Sequence, residues 1–195
     1  MEYSREVIAQ YDNQCIRVYQ AYHSVIAREA VALQTFGENF SRNRMTWIKP
    51  SFLWMMYRSN WGTKKNQECI LALDIYRTKF DEILKKAVLT SPDSKVCTGL
   101  QWKKALAETT VYCQWDPDKN INGNPINRAA IQIGLKGDTL IDFLDTGICR
   151  IEDMTSLVRK WNEQRKNGKL NSKDLPIEKR YPVKNREIRD RLGMK

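Results

Sequence analysis

The chain has 195 residues, of which 42% are hydrophobic and 29% charged, and its formal net charge is +10. This length fits one domain that buries roughly two thirds of the surface of its unfolded chain. No eighteen apolar residues run together, which excludes a membrane-spanning helix. The five cysteines form no CxxC pair, which argues against a disulfide framework and a zinc ribbon. We therefore expect a soluble protein of the cytoplasm or nucleus, with free buried thiols and no membrane partner.

The first predicted elements are a strand, a helix and a polar loop. Residues 15–22 carry β-branched and aromatic side chains with period two, which predicts a strand. Residues 24–34 place apolar side chains at helical spacing, and residues 37–44 form a polar loop. Residues 45–48 predict a short strand, after which Pro50 suits the first turn of a helix.

The rest of the chain continues to alternate between strands and helices. The predicted elements are a strand at 69–75, a helix at 79–88 capped by Thr78, a strand at 109–115 ended by Asp116-Pro117, a loop at 118–127, a strand at 128–135, a helix at 137–144, a strand at 148–151 and a helix capped by Asp153 that ends near residue 164. The first of these strands is nearly all apolar, so we expect it at the centre of a sheet.

The C-terminal part of the chain differs from the rest in composition. Residues 159–195 hold thirteen Lys and Arg against five Asp and Glu, so most of the positive charge lies here. Residues 167–195 are also poor in apolar residues, which predicts an extended arm or a disordered tail. Such a cationic segment either favours binding to nucleic acid through counterion release or only aids solubility.

These elements predict an α+β fold. We expect a single domain at residues 1–166, with a central mixed or antiparallel sheet of about five or six strands flanked by helices, and then the basic C-terminal arm at 167–195. No Gly-rich turn after a strand indicates a Rossmann or P-loop nucleotide fold.

The most distinctive segment is residues 45–64. It holds three of the six tryptophans and three methionines, and its cations Lys49, Arg58 and Lys64 are not balanced by any acid. A plain core segment does not need this mixture of side chains. We therefore expect the segment to bind an anionic group such as a phosphate.

The familiar catalytic patterns are mostly absent. The single histidine, His23, does not support a His-based metal site or a conventional Ser-His-Asp triad, and it suits a surface position at a helix start. No HExxH, GxSxG or GxxxxGK[ST] motif occurs. No metal ion is indicated.

Polar residues in or beside the predicted strands are the remaining candidates for a site. They are Arg17, Gln20, Thr46, Lys49, Arg58, Gln114, Arg128 and Gln132. Burying an unpaired polar side chain costs free energy, so Gln20 and Gln132 indicate a partner in the core, a ligand, or a strand face open to water. Four aromatic residues accompany this set: Tyr19, Tyr22, Trp47 and Trp115. Aromatic faces beside cations suit a nucleobase and its phosphates.

Three segments carry a resemblance to a known family. They are residues 18–22 (VYQAY), residues 44–59 (RMTWIKPSFLWMMYRS) and residues 130–135 (AIQIGL). On these segments the chain resembles the domain-of-unknown-function family numbered 4291, over about residues 10–165. The resemblance implies membership of that family and carries no activity.

The order of the elements is more distantly similar to that of the small NAD-using ADP-ribosyltransferases. In those enzymes a polar residue on the first strand holds the nicotinamide ribose, an aromatic residue in a second block stacks on nicotinamide, and a Glu on a late strand orients the acceptor. The resemblance places Gln20 at the first position, residues 46–57 at the second and Gln132 at the third. The chain has Gln where His or Arg is expected and Gln where Glu is expected, and Gln cannot act as a general base.

Two functions therefore stand as predictions. The first is an ADP-ribosyltransferase-like enzyme that uses NAD and modifies nucleic acid, with Gln20, Tyr57 and Gln132 as catalytic residues. The residues implied to hold NAD are Tyr19, Thr46, Trp47, Lys49, Ser51, Arg58 and Arg128. The second is a non-catalytic module that binds a nucleotide or nucleic acid through aromatic stacking and phosphate contacts.

Overall fold

The structure, a computed structural model, describes residues 3–96 and 98–194. Its strands are β1 (Ser4–Arg5), β2 (Ile8–Ala9), β3 (Cys15–Tyr22), β4 (Thr46–Ile48), β5 (Cys69–Tyr76), β6 (Ala87–Leu89), β7 (Val111–Lys119), β8 (Pro125–Leu135), β9 (Ile148–Asp153) and β10 (Lys179–Arg180). Its α-helices are α1 (Ser24–Leu33), α2 (Phe52–Arg58), α3 (Arg77–Lys86), α4 (Gly99–Glu108), α5 (Gly137–Asp142), α6 (Thr155–Lys166) and α7 (Arg186–Leu192). A π-helical turn, Phe143–Gly147, follows α5, and a short 3-10 turn, Ser172–Asp174, follows α6. The predicted α+β single-domain fold is confirmed.

Two β-sheets form the centre of the molecule. The three-stranded antiparallel sheet has the order β3-β5-β9. The five-stranded mixed sheet has the order β1-β8-β7-β6. The fifth strand, β4, pairs with residues 133–135 of β8, on the same edge of β8 where β1 pairs with residues 128–129. A backbone bridge joins the sheets, because the Tyr19 and Lys49 amides each donate to the other residue's carbonyl, at 2.8 and 3.2 Å.

The burial of apolar side chains explains where the sheets and helices lie. The middle of β5 is buried on both faces, as its continuous apolar run predicts. The larger core contains residues from both sheets and from α3, including Phe80, Ile83 and Leu84. A smaller core surrounds α2 and α6 and includes Phe52 and Trp161. Together the two cores fix where the sheets and α2 lie relative to one another.

Several predicted element ends were wrong, including the start of β8, which lies at Pro125 and not at residue 128. The strand β7 does not stop before Asp116-Pro117 but continues to Lys119, and its pairing with β8 shifts register after Pro117. A bulge accommodates a proline that cannot donate to the ladder. The helix α3 begins at Arg77 without a cap from Thr78, and it ends at Lys86 because residues 87–89 form β6.

Several short elements were not predicted. They are β1, β2, β6, β10, α4 and α7. The predicted cap of α6 was one residue off, since Met154 is the N-cap, although Asp153 Oδ1 does accept a hydrogen bond from the Thr155 amide at 2.8 Å.

The C-terminal arm packs against the rest of the chain over its described residues. Its strand β10 pairs with β2, and Tyr181, Ile188 and Leu192 are buried in the larger core. The Trp115 indole donates to the Leu192 carbonyl at 2.9 Å, and the Tyr181 hydroxyl donates to Asp81 at 2.9 Å. Residues 167–194 therefore contribute to the core, and the proposed boundary after residue 166 stays a prediction.

The described cysteines are free thiols in different surroundings. Cys113 is fully buried, whereas Cys15, Cys69 and Cys149 are partly exposed, so burial was predicted too broadly. The sulfur atoms of Cys15 and Cys149 lie 2.8 Å apart. Cys97 lies outside the described residues. In the described part of the chain, no helix has the length and apolar character needed to cross a membrane.

Candidate functional site

A cavity of about 710 Å³ opens between the two sheets. Its walls come from β3, β4, β7 and β8, from α1 and α2, and from the loops around residues 40–45 and 66–67. The polar and aromatic side chains that line the cavity include Gln20, Tyr22, Arg44, Thr46, Trp47, Lys49, Trp54, Arg58, Gln114, Asp116 and Gln132. A volume of this size is typical of sites for small molecules and cofactors.

A hydrogen-bonded group of three side chains forms one wall. The Gln20 amide nitrogen donates to Thr46 Oγ1 at 2.7 Å and to the Trp47 carbonyl at 3.2 Å. The Tyr22 hydroxyl lies 2.7 Å from the same Thr46 oxygen. Gln20 and Tyr22 share one face of β3 because side chains alternate along a strand. This network holds the Gln20 amide in place at the cavity wall.

Two buried polar atoms of the cavity have no hydrogen-bond partner. They are Gln20 Oε1 and Trp54 Nε1, and the Gln20 residue is only 2% exposed. Exchanging the oxygen and nitrogen of the Gln20 amide would still leave one of them unpaired. Unpaired buried polar atoms are rare in proteins because each costs free energy. An acceptor and a donor are therefore available here to a ligand.

The carboxylate of Asp116, on β7 of the five-stranded sheet, also lines the cavity. Asp116 Oδ1 accepts a hydrogen bond from the Gln114 side chain at 2.8 Å, and Oδ2 accepts one from the Gln132 side chain at 2.6 Å. Gln114 and Gln132 are paired across β7 and β8, and Gln114 and Asp116 share a face of β7. The carboxylate is thereby held between two amides.

Cations complete the electrostatics of the cavity. Lys49 is only 6% exposed, and its ammonium group lies 3.4 Å from the Trp47 carbonyl. The pKa of Lys49 is lowered to about 8, because burial and, to a smaller extent, the nearby Arg58 lower it by more than Asp116 raises it. Arg58, at the end of α2, and Arg44, before β4, are exposed. The cavity thus presents one buried and two exposed cations.

Trp47 owes its position to a missing side chain. It pairs with Gly134 across β4 and β8, and a Cβ at Gly134 would lie 3.1 Å from the Trp47 ring and 2.8 Å from the Met45 sulfur. The ring can therefore lie against the backbone of β8. Its position beside Lys49 suits stacking on an aromatic ligand.

Two predicted site residues, Tyr57 and Tyr19, lie outside the cavity. The Tyr57 hydroxyl donates to the Asn120 and Ile121 carbonyls at 2.9 and 3.0 Å and so holds the β7–β8 turn. Tyr19 is fully buried in the smaller core, because it occupies the face of β3 opposite to Gln20. Neither side chain lines the cavity.

Ser51 and Arg128, also predicted to hold a ligand, belong to a separate, partly buried cluster. Arg128 donates to Asp118 Oδ2 through Nε at 2.9 Å, and Asp118 is 1% exposed. Glu178, from the arm, accepts a hydrogen bond from the Phe52 amide at 2.6 Å and a further one from the Ser51 hydroxyl. The cluster therefore ties the arm to the start of α2 and to the β7–β8 hairpin.

Glu178 gives this cluster a pH dependence. The pKa of its carboxyl is raised to about 8, because burial and the nearby Asp118 raise it by more than the hydrogen bond from the Phe52 amide lowers it. The folded protein thus keeps a proton that the unfolded chain releases near pH 4.5, so stability should fall as the pH rises from about 4.5 to about 8.

Replacing Glu178 by glutamine should remove this dependence. Glutamine keeps an acceptor for the Phe52 amide but cannot ionise, so E178Q should be more stable than the wild type at about pH 8.5, by a few kcal/mol, with a smaller gain near pH 5. Urea unfolding at both pH values measures the two free energies. E163Q, at an exposed position of α6, is the matched control and should change neither value. A gain independent of pH would contradict a buried, protonated Glu178.

Sequence reasoning missed Asp116 and Trp54 as site residues. Asp116 was taken as the end of a strand, although its spacing of two from Gln114 was a signal that both face the same side. Trp54 lies one helical turn before Arg58, which is the spacing that brings both to the cavity. Arg17 faces elsewhere and forms ion pairs with Asp74 and Glu152.

His23 does not reach the cavity. It is exposed and acts as the N-cap of α1, where its Nδ1 accepts a hydrogen bond from the Val25 amide at 3.4 Å. Among the described residues, no group of three or more His, Cys, Asp or Glu is placed to hold a metal ion.

The sequence comparison identifies the family. The model of a protein family described as Domain of unknown function (DUF4291) matches residues 6–181, which is most of the chain. The chain belongs to this family. In this DUF4291 member the matched region includes all the cavity residues named above and the arm as far as Tyr181. No curated protein matches the chain in sequence.

Proposed function

We propose that the cavity binds NAD and that the protein cleaves the bond between nicotinamide and ribose, transferring ADP-ribose to an acceptor. The observation that carries the proposal is the unpaired amide oxygen of Gln20, held at the wall of a cavity that also presents cations and aromatic rings. The distant resemblance to NAD-using ADP-ribosyltransferases supports it, because Gln20, Thr46 and Gln132, placed by that resemblance in three separate segments, all line this one cavity.

The side chains of the cavity divide into groups that match the parts of NAD. Arg44, Lys49 and Arg58 suit the diphosphate, since charge-assisted hydrogen bonds to phosphate are strong. Trp47 and Trp54 offer ring faces for nicotinamide or adenine. Gln20 Oε1 is an acceptor for a ribose hydroxyl or the carboxamide of nicotinamide.

The reaction breaks the glycosidic bond from C1′ of the ribose to the nicotinamide nitrogen. The electron pair of that bond moves to the nitrogen and neutralises the charge of the pyridinium ring. An acceptor hydroxyl forms the new bond to C1′ and loses its proton. Positive charge develops on the ribose in the transition state. The Asp116 carboxylate and the amide oxygens of the cavity stabilise this charge.

Nucleic acid is the acceptor class that we include in the proposal. Most of the net charge lies at residues 159–195, and cations favour a polyanion without reading its sequence. Cytoplasm or nucleus, where NAD and nucleic acid occur together, is the setting that this function implies. Binding through the arm alone should weaken steeply as the salt concentration rises.

The test is release of nicotinamide from NAD, followed by chromatography, with and without DNA or RNA. The wild type should release nicotinamide. Gln20→Leu should reduce NAD affinity by about tenfold, because the hydrogen bond between NAD and Gln20 Oε1 is lost and the apolar leucine faces a polar group of NAD. Gln101→Leu, at an exposed position of α4, is the matched control. Absence of release with every acceptor would contradict the proposal.

A second function, binding of a nucleotide without catalysis, has one observation in its favour. Gln132 occupies the position at which the resemblance implies a Glu, and an amide cannot act as a general base. Saturable NAD binding by calorimetry, with no nicotinamide released, would support this function instead.

A further inference from the structure

Asp116 is the one residue with a carboxylate among the described residues that line the cavity. The other polar side chains there are amides, hydroxyls and cations. At neutral pH an amide or a threonine hydroxyl does not accept a proton, and Lys49 is mostly protonated below its pKa of about 8. Asp116 is therefore the cavity side chain best suited to remove a proton.

The surroundings of Asp116 leave it free to do so. Each of its oxygens accepts one hydrogen bond from a side-chain amide, from Gln114 and from Gln132. A carboxylate has about four lone-pair positions, so both oxygens retain acceptor capacity. Both partners are neutral, and none of the described salt bridges involves Asp116.

The two amides also fix the direction of the carboxylate. Gln114 and Gln132 are cross-strand neighbours in the pairing of β7 and β8, and each donates a hydrogen bond to a different oxygen of Asp116. A catalytic group works best when its support holds it in place before the substrate arrives. An aspartate that only contacts water at the surface does not need two side-chain amides as hydrogen-bond donors.

We propose that Asp116 is the general base of the reaction, and this rests on the function proposed above. As the acceptor oxygen bonds to C1′, its proton passes to an oxygen of Asp116, and the C1′–nitrogen bond breaks with its electron pair going to nicotinamide. The products are nicotinamide, the ADP-ribosylated acceptor and a proton that later leaves Asp116 for water. Gln114 and Gln132 are positioning residues.

This role indicates the chemical class of the acceptor. A general base is useful for a neutral nucleophile that must lose a proton, such as a sugar hydroxyl or water. An acceptor that is already anionic, such as a phosphate oxygen or a carboxylate, gains nothing from it. The acceptor class assigned to this site is therefore a hydroxyl group, with water as its simplest case.

The test compares nicotinamide release and NAD affinity in the same variants. Asp116→Asn should keep NAD affinity close to that of the wild type and slow release by about 100-fold or more. In Asp116→Ala, which leaves space beside the two amides, added formate should restore part of the rate because it supplies a carboxylate. Asp138→Ala, at an exposed position of α5, is the control and should release nicotinamide at the wild-type rate.

The outcomes separate this proposal from the function on which it rests. A wild type that releases no nicotinamide overturns the function itself. A wild type that is active while Asp116→Asn is equally active overturns only the role of Asp116. A slow Asp116→Ala that binds NAD normally and gains nothing from formate also overturns it, because the carboxylate would then act only on structure.

Discussion

Replacing Arg128 by methionine is expected to lower the free energy of unfolding by about 3 kcal/mol. Arg128 contacts Asp118 through two guanidinium nitrogens, and Asp118 is 1% exposed. Without Arg128, the one hydrogen bond left to the buried carboxylate from the described residues would be that from the Lys119 amide. An unpaired buried charge is the largest cost in such a variant, and methionine retains most of the apolar volume of the arginine stem.

A matched control and a double variant make this prediction specific. Arg186 forms an exposed ion pair with Asp190, so R186M should cost less than about 1 kcal/mol. The double variant R128M/D118L removes both charges and should recover most of the stability lost in R128M. Urea unfolding gives all the free energies. If R128M were as stable as R186M but lost NAD affinity, Arg128 would bind a ligand, as the sequence predicted, instead of neutralising Asp118.

Replacing Lys49 by methionine should weaken NAD binding while making the empty protein more stable. A hydrogen bond to a charged group contributes about 1.5–3 kcal/mol, so the Kd should rise roughly 10- to 150-fold. The stability gain follows because a nearly buried ammonium, 6% exposed, loses hydration on folding that methionine does not need. Opposite changes in stability and affinity are the mark of a functional site.

The stability gain of K49M should depend on pH. The pKa of Lys49 is lowered in the folded protein from the ordinary lysine value of 10.5 to about 8, so the cost of its charge is present below pH 8. It disappears as the pH rises towards 10.5, where the folded protein has released a proton that the unfolded chain keeps. Calorimetry with NAD and thermal unfolding at about pH 7 and about pH 10 measure both effects.

The control for this variant is Lys104→Met, on the exposed side of α4. It removes the same charge from an exposed side chain, so both the Kd for NAD and the melting temperature should stay nearly unchanged. A Kd for K49M equal to that of Lys104→Met would show that Lys49 does not reach the ligand.

The longer strands of the two central sheets were predictable because burial leaves a periodic pattern, whereas the short strands β1 and β6 leave none. The alternation in β3 and the apolar run of β5 both reflect which faces the sheet covers. The arm was harder, since Tyr181, Ile188 and Leu192 are isolated among charged residues and become core only through contacts distant in sequence. Local composition carries no signal of such contacts.

The candidate site was predictable in part for a related reason. Polar residues within apolar strands, such as Gln20 and Gln132, are conspicuous in the sequence and both line the cavity. Arg128 is also a polar residue in a predicted strand, but it pairs with the buried Asp118 and does not line the cavity. Asp118 is ten residues away across a hairpin whose register the sequence did not reveal. Asp116 was overlooked because Asp-Pro usually ends a strand, and only a bulge allows β7 to continue past it.

NAD is expected to occupy the cavity between the two sheets. The most direct measurement is a titration of ¹⁵N-labelled protein with NAD, followed through the indole N–H signals of its six tryptophans. Trp47 and Trp54 line the cavity, whereas the Trp102 and Trp115 indoles donate to the Leu89 and Leu192 carbonyls outside it. We predict saturable shifts at Trp47 and Trp54, with Trp102 and Trp115 unchanged. No saturable shift at Trp47 and Trp54, or shifts confined to the other tryptophans, would contradict this account.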